Sequence, residues 1–286
     1  MQEYLYTDES QVKMMSIPGI LGRSLREGFL SKKFIPLFSL YFLFSALLLT
    51  FINPVLKILP DILSLEFTKF SLAVVGITFT TLIILFLIVL FINIWFVGAL
   101  TFQAYSNKSF RSSLKKSQQV YWRLVCMSLL AILIGIITSQ LSTPGNILRI
   151  IFDLILFFVI PGIIIKNYSL LSSMKKSFEL FRKNILKTVI FWFILFLILI
   201  LVFFTLAFLV AALATPVLMS SLSSISSLDT FTDKQIWTQV VGVILENYPL
   251  LYMLSIVISY FLAGAYTSYI FARTHFYLEL LKKRKQ

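Results

Sequence analysis

Few residues in this chain could do chemistry, and those few are scattered. There is one His, His275, and one Cys, Cys126. A zinc cage takes several Cys or His ligands and an internal disulfide takes two thiols, so neither can be built. No Gly-rich phosphate loop, HExxH pair or Ser/His/Asp set occurs. His275, with Tyr266, Tyr269 and Tyr277 nearby, reads as an interfacial residue and not as a catalyst. Cys126 has no flanking base and reads as a packed small side chain. No cofactor is implied.

Polar residues inside apolar stretches are the better lead, because they are costly in lipid and normally face protein or water. Arg149 and Asp153 are four apart, so they share a helix face. They read either as a neutralised pair near the outer interface or as a substrate or proton site. Asn93 is a further polar point, suited to hydrogen bonding a neighbouring helix. Together Arg149, Asp153 and Asn93 form the candidate intramembrane polar site. The paired lysines Lys115-Lys116 and Lys175-Lys176 are candidate contacts for lipid headgroups.

These residues must be positioned by membrane-spanning helices. Of the 286 residues, 59% are hydrophobic and 13% charged, and the mean hydropathy is +0.93. A soluble domain carries about a quarter charged residues. This composition excludes a water-soluble globule, a disordered tail and a disulfide-stapled secreted module. A bilayer core of about 30 Å needs about 20 mostly apolar residues per crossing. Six stretches qualify, over about 34–56, 71–104, 120–139, 147–165, 188–217 and 250–272. The second, free of charge from Lys69 to Lys108, reads as one long helix. Pro161-Gly162 and Pro216 are candidate kinks in spans four and five.

With six spans, all 25 Lys and Arg residues fall on one side except Lys57, Lys69, Arg149 and Lys234. Cytoplasmic loops retain positive charge. The sequence therefore predicts a multi-pass plasma-membrane protein with both termini cytoplasmic. The net charge of +13 is explained by topology and by an anionic inner leaflet, with no need for nucleic acid. Residues 1–33 form a cytoplasmic segment, not a cleavable signal peptide, and 273–286 a basic cytoplasmic tail. Within the first segment Ile20, Leu21, Leu25 and Phe29 recur at helical spacing opposite Arg23, Arg26 and Glu27, as in a helix lying in the interface. On the outer side, residues 140–146 make a tight connection. Residues 218–249 hold a helix from Asp229 to Glu246 that reads as a lid or a re-entry connector.

The loops carry a repeat. Asn107 to Ser117 read NKSFRSSLKKS and Asn167 to Ser177 read NYSLLSSMKKS, seven identities in eleven positions at an offset of 60. Ser24-Leu25-Arg26 is a weaker third copy. Ser109 or Ser169 can cap a helix. One face then carries Phe110, Leu114 and Tyr121, or Leu170, Met174, Phe178 and Phe181. Each such helix precedes an odd-numbered span. The exits of the even spans are also alike, at Gly98-Ala99, Pro161-Gly162 and Gly264-Ala265. The expected fold is an all-α integral membrane protein of six transmembrane helices, with interfacial amphipathic helices before spans 1, 3 and 5. The expected unit is interfacial helix, outward span and inward span, used three times.

Three stretches, WFVGALTFQAYSNKSFRSSLKKS from Trp95, SLLSSMKKSFELFRKNILKTV from Ser169 and GAYTSYIFARTHFYLELLKKR from Gly264, resemble a known family. It is the multi-pass membrane domain associated with glycerophosphoryl diester phosphodiesterases, together with its stand-alone relatives. The matching motifs are loop and helix-end signatures. The resemblance implies a six-span membrane scaffold and carries over no activity, because catalysis in the complete enzymes belongs to a separate soluble barrel. The sequence therefore predicts a non-enzymatic scaffold, lipid-interacting or accessory module, with a membrane-protein partner or a second copy as partner. A small transporter or exporter with a polar site near Asp153 and Asn93 is the alternative, and a membrane-embedded lipid enzyme a distant third. A water-filled midplane cavity reaching Asp153 or Asn93 favours transport, and a closed apolar bundle favours the scaffold.

Overall fold

The computed structural model describes residues 16–63, 69–222 and 234–282. The first 15 residues, 64–68 between the first two spans, 223–233 in the outer segment and 283–286 of the basic tail lie outside the described residues. Among the described residues the chain is entirely helical. In order the helices are α1 (Ile17–Phe29), α2 (Ile35–Leu63), α3 (Lys69–Ser106), α4 (Phe110–Gln119), α5 (Tyr121–Ser139) and α6 (Ser142–Leu156). They continue with α7 (Val159–Lys166), α8 (Leu170–Lys183), α9 (Ile185–Leu222), α10 (Lys234–Glu246) and α11 (Tyr248–Lys282). A 3-10 turn, Lys32–Phe34, leads into α2. Six segments are long and apolar enough to cross a membrane: Lys32–Ile62, Ser71–Ser106, Tyr121–Ser139, Ser142–Lys166, Ile185–Thr215 and Tyr248–Lys282.

The second span is a single helix of 38 residues, about 57 Å long at 1.5 Å per residue. That exceeds a bilayer core by far. The fourth span is broken, and Pro161 supplies the reason. Lacking an N–H, it cannot bond the carbonyl of Phe157, and the helical hydrogen-bond ladder is interrupted at Phe157-Phe158 between α6 and α7. Ser177 of α8 fills the gap, accepting from the Phe158 N–H at 3.1 Å and donating to the Ile155 carbonyl. Pro216 has a different outcome, since α9 runs on to Leu222.

The short helices begin as their sequences dictate in two cases of three. Ser16 caps α1 by accepting from Gly19 N–H at 3.4 Å, and Ser169 caps α8 by accepting from Ser172 N–H at 3.3 Å. Ser109 makes no side-chain cap. Its carbonyl instead accepts the Ser112 and Ser113 hydroxyls at 3.0 and 3.1 Å. Asn107 and Asn167, 60 apart, end α3 and α7 with φ of 50° and 54°. That left-handed turn is one that Asn tolerates better than a branched side chain does.

The apolar faces expected of the short helices turn inward, with Ile20 and Leu21 buried and Phe110, Tyr121, Leu170 and Met174 packed against the core, but small residues lie closest to the neighbouring helices. In α4 the buried residues are Ser113 and Ser117, in α8 Ser173, Ser177 and Leu180, and in α1 Ile20, Leu21, Ser24 and Gly28. Phe178, assigned to the apolar face, is exposed. The physical reason is distance. Small residues let two backbones approach closely, and the bulkier side chains flank that seam. Thus α4 crosses α3, α8 crosses α6 and α7, and α1 crosses α11. Each short helix therefore packs on the return span of the preceding pair, and the first packs on the last.

The core sits at the end of the bundle where these crossings and most of the Lys and Arg residues lie. There α3, α7 and α11 meet. Leu100, Thr101, Ile163, Ile164, Thr267, Ile270 and Phe271 are fully buried along these three helices. Toward the far end α2 and α11 stay in contact, while α3 and α9 present bare apolar surfaces. Phe79, Ile83, Ile84 and Phe86 of α3, and Leu201, Phe204 and Phe208 of α9, are exposed there.

Candidate functional site

The crossings are the most elaborated contacts in the molecule. Ser117 Oγ donates to the Trp95 carbonyl at 2.8 Å, and the Trp95 indole N–H donates back to the Leu114 carbonyl at 3.1 Å. Sixty residues on, Ser177 donates to the carbonyl of Ile155, the position that corresponds to Trp95. Ser173 Oγ donates to the Val159 carbonyl at 2.8 Å. In the α1–α11 crossing Gly28 stands where Ser117 and Ser177 stand in the others. A Cβ there would come within 2.7 Å of Ser268 N and 2.8 Å of the Gly264 carbonyl oxygen. Phe29 lies directly over Gly264.

Beside these seams lie the paired lysines. Lys115 and Lys175 are exposed, whereas Lys116 Nζ donates to Gln119 at 3.3 Å and Lys176 Nζ to Glu179 at 2.9 Å. Trp122, Leu171 and Leu186, next to them in sequence, are exposed. Behind α1, Glu27 accepts from Arg23 Nε at 2.8 Å and Lys33 Nζ at 2.9 Å. Burial pushes the Glu27 carboxyl up, but the hydrogen bonds and charges of Arg23 and Lys33 outweigh it and hold it below its usual range.

The three residues of the candidate intramembrane site do not come together. Asn93 Oδ1 accepts from the Tyr41 hydroxyl at 3.1 Å, joining α3 to α2. Arg149 and Asp153 instead line an open groove of about 460 Å³ between α5 and α6, with Ala131, Gly135, Ser139 and Phe152. Both are exposed. Among the described residues neither takes part in an ion pair or a side-chain hydrogen bond. Relative to Ile155, where Ser177 crosses, Asp153 lies about 3 Å and Arg149 about 9 Å farther along the helix axis.

His275 differs from its expected interfacial setting. It is 9% exposed and packs from α11 against α1, with Nδ1 3.3 Å from Ser24 Oγ. Arg273, counted by sequence with the cytoplasmic tail, is 7% exposed, its guanidinium 5.3 Å from the centre of the Tyr269 ring. Cys126 is exposed. At the far end α10 rests on α2 with Val241 buried. Tyr252 and Thr50 hydroxyls meet there at 2.9 Å, and the Tyr248 hydroxyl donates to the Leu49 carbonyl.

Sequence reading missed the roles of Ser113, Ser117, Ser173 and Ser177, although their offset of 60 was visible. Read only as repeat identities, they form the seams themselves. No family model, curated protein or solved structure matches this chain.

Proposed function

We propose that this chain is a non-enzymatic, lipid-interacting scaffold of the plasma membrane. It is built from three units of interfacial helix, outward span and inward span, with both termini cytoplasmic. One observation carries the reading: each short helix is clasped onto the return span of the preceding pair, and α1 closes the series on α11. Such a ring makes a rigid base and leaves the far halves of α3 and α9 exposed to lipid. The exposed Lys115 and Lys175 beside Trp122, Leu171 and Leu186 suit the headgroup level of an anionic leaflet. Likeness to the membrane domain of the glycerophosphoryl diester phosphodiesterases belongs to the same proposal.

The transporter alternative needs Asp153 and Asn93 on one path. Engagement of Asn93 by Tyr41, and the burial of Leu100, Ile163 and Ile270 where α3, α7 and α11 meet, favour the scaffold.

The test has two parts. In a Cys126→Ser background, single cysteines at Gln118 and Thr143 are probed with a membrane-impermeant maleimide on intact cells. Thr143→Cys should label and Gln118→Cys should label only after permeabilisation. In parallel, the variant with Lys115, Lys116, Lys175 and Lys176 all changed to Gln is compared with the parent by native mass spectrometry. Retained anionic lipid should fall severalfold; equal retention, or the reverse labelling pattern, removes the proposal.

A further inference from the structure

We propose that the α5–α6 face is the contact surface of a homodimer, in which Arg149 of each copy pairs with Asp153 of the other. The starting point is an unresolved cost. Arg149 and Asp153 lie in the span Ser142–Lys166, exposed in the groove, with no ion pair among the described residues. Charged side chains at this depth are stable only when they face protein, water or each other. Helix α6 spaces them one turn apart, near enough for the Arg149 charge to act on the Asp153 carboxylate but without forming an ion pair.

The charge pattern selects the occupant. Two copies inserted the same way, related by a twofold axis along the membrane normal, hold each residue at the same depth in both copies. Arg149 and Asp153 differ in depth by about 6 Å, a rise that a long arginine side chain can bridge. The face is thus complementary to itself, giving two reciprocal pairs and no residual charge. Exclusion of water from the interface strengthens each pair, since the low dielectric leaves little screening.

The wall opposite fits the same occupant. Ala131, Gly135 and Ser139, four apart on α5, line the groove. A Cβ on Gly135 would meet nothing within 4 Å in its own chain, so internal packing does not require its small size. Close approach of a second helix does. Ile132, Ile136, Ile147 and Ile151 flank the groove and are exposed, a rim able to exclude lipid from the pairs. The inference goes beyond the scaffold reading and does not depend on it. Lipid retention at the lysines and association at the groove are separate measurements.

The test exploits reciprocity. Arg149→Asp carries two carboxylates in the groove and Asp153→Arg two cations, so each should fail to associate with itself. Co-expressed, they restore two opposite-charge pairs, Asp at 149 with Arg at 153 and Asp153 with Arg149. Differently tagged versions are co-purified from nanodiscs at low protein-to-lipid ratio. The mixed pair should be recovered roughly tenfold above either variant with itself, equivalent to about 1.4 kcal/mol. Gly135→Leu, which has room in its own chain, should keep its helix content and become monomeric. Self-association of Arg149→Asp equal to that of the parent overturns the proposal. So does a parent that is monomeric while retaining a phospholipid that Asp153→Asn loses, which would assign the groove to lipid.

Discussion

Substituting Gly28 with Ala should destabilise the protein, whereas the same change at Gly22, six residues earlier on α1, should stabilise it. At Gly28 the new methyl group would lie 2.7 Å from Ser268 N and 2.8 Å from the Gly264 carbonyl oxygen. Both are backbone atoms of α11 and cannot rotate aside. Relief requires α1 to withdraw, opening the seam formed by Ser24, Gly28, Gly264 and Ser268. Overpacking of this kind costs about 1–3 kcal/mol, a change of roughly five- to 150-fold in the folding equilibrium. At Gly22 nothing lies within 4 Å. The substitution there acts only through helix propensity and should add about 0.5–1 kcal/mol. Equilibrium unfolding in mixed micelles of mild and denaturing detergent, followed by tryptophan fluorescence, measures both. Equal effects, or a Gly28→Ala variant as stable as the parent, would refute the close α1–α11 crossing and with it the closure of the ring.

Ser177→Ala should cost more than Ser117→Ala, although the two serines occupy matching repeat positions. Each loses a donor to a carbonyl, worth about 1 kcal/mol, but Ser177 also leaves the Phe158 N–H unpaired at a break in the helix. Their unfolding midpoints in the same micelles should rank accordingly. Asn167→Gly and Asn167→Val both lose the bond that Arg123 donates to Asn167 Oδ1 at 2.9 Å, but Val should cost about 1–2 kcal/mol more than Gly because φ is 54° there; thermal aggregation curves can distinguish them, and a valine variant as stable as the glycine one would contradict the turn. Glu27 supplies a pH dependence. Its carboxyl is held below the ordinary 4.5 by Arg23 and Lys33 despite burial, so its stabilising contribution is present above that value and lost as pH falls through the lower, folded-state value. The stability difference between the parent and Glu27→Gln should therefore be larger at pH 7 than at pH 3, and a difference that grows with acid would reverse the sign.

The six apolar segments were legible in the sequence because a bilayer imposes a length of apolar chain that nothing else requires. The break in span four could be placed within four residues, since Pro161 removes the bond to Phe157. Helix ends were half legible. Of the two expected caps Ser169 forms and Ser109 does not, Ser16 caps α1 without being an expected cap, and Asn107 and Asn167 occupy left-handed turns that only their shared offset hinted at.

Neighbour relations were not legible, for a physical reason. In a soluble helix the buried face is the apolar one, so periodicity reveals what packs. In a membrane helix the lipid-facing side is as apolar as the packed side, and the contrast disappears. The packed stripe is then marked by small size. Gly28, Gly98, Ser117, Gly162 and Ser177 became recognisable as contacts only when α1, α4 and α8 were seen lying across α11, α3 and α6–α7. The same loss of contrast kept Asn93 apart from Asp153. Sequence alone determined which segments are apolar enough to enter a membrane and where their charges lie. The tertiary structure decided which polar residues are spent on helix contacts and which, like Arg149 and Asp153, remain exposed in a groove.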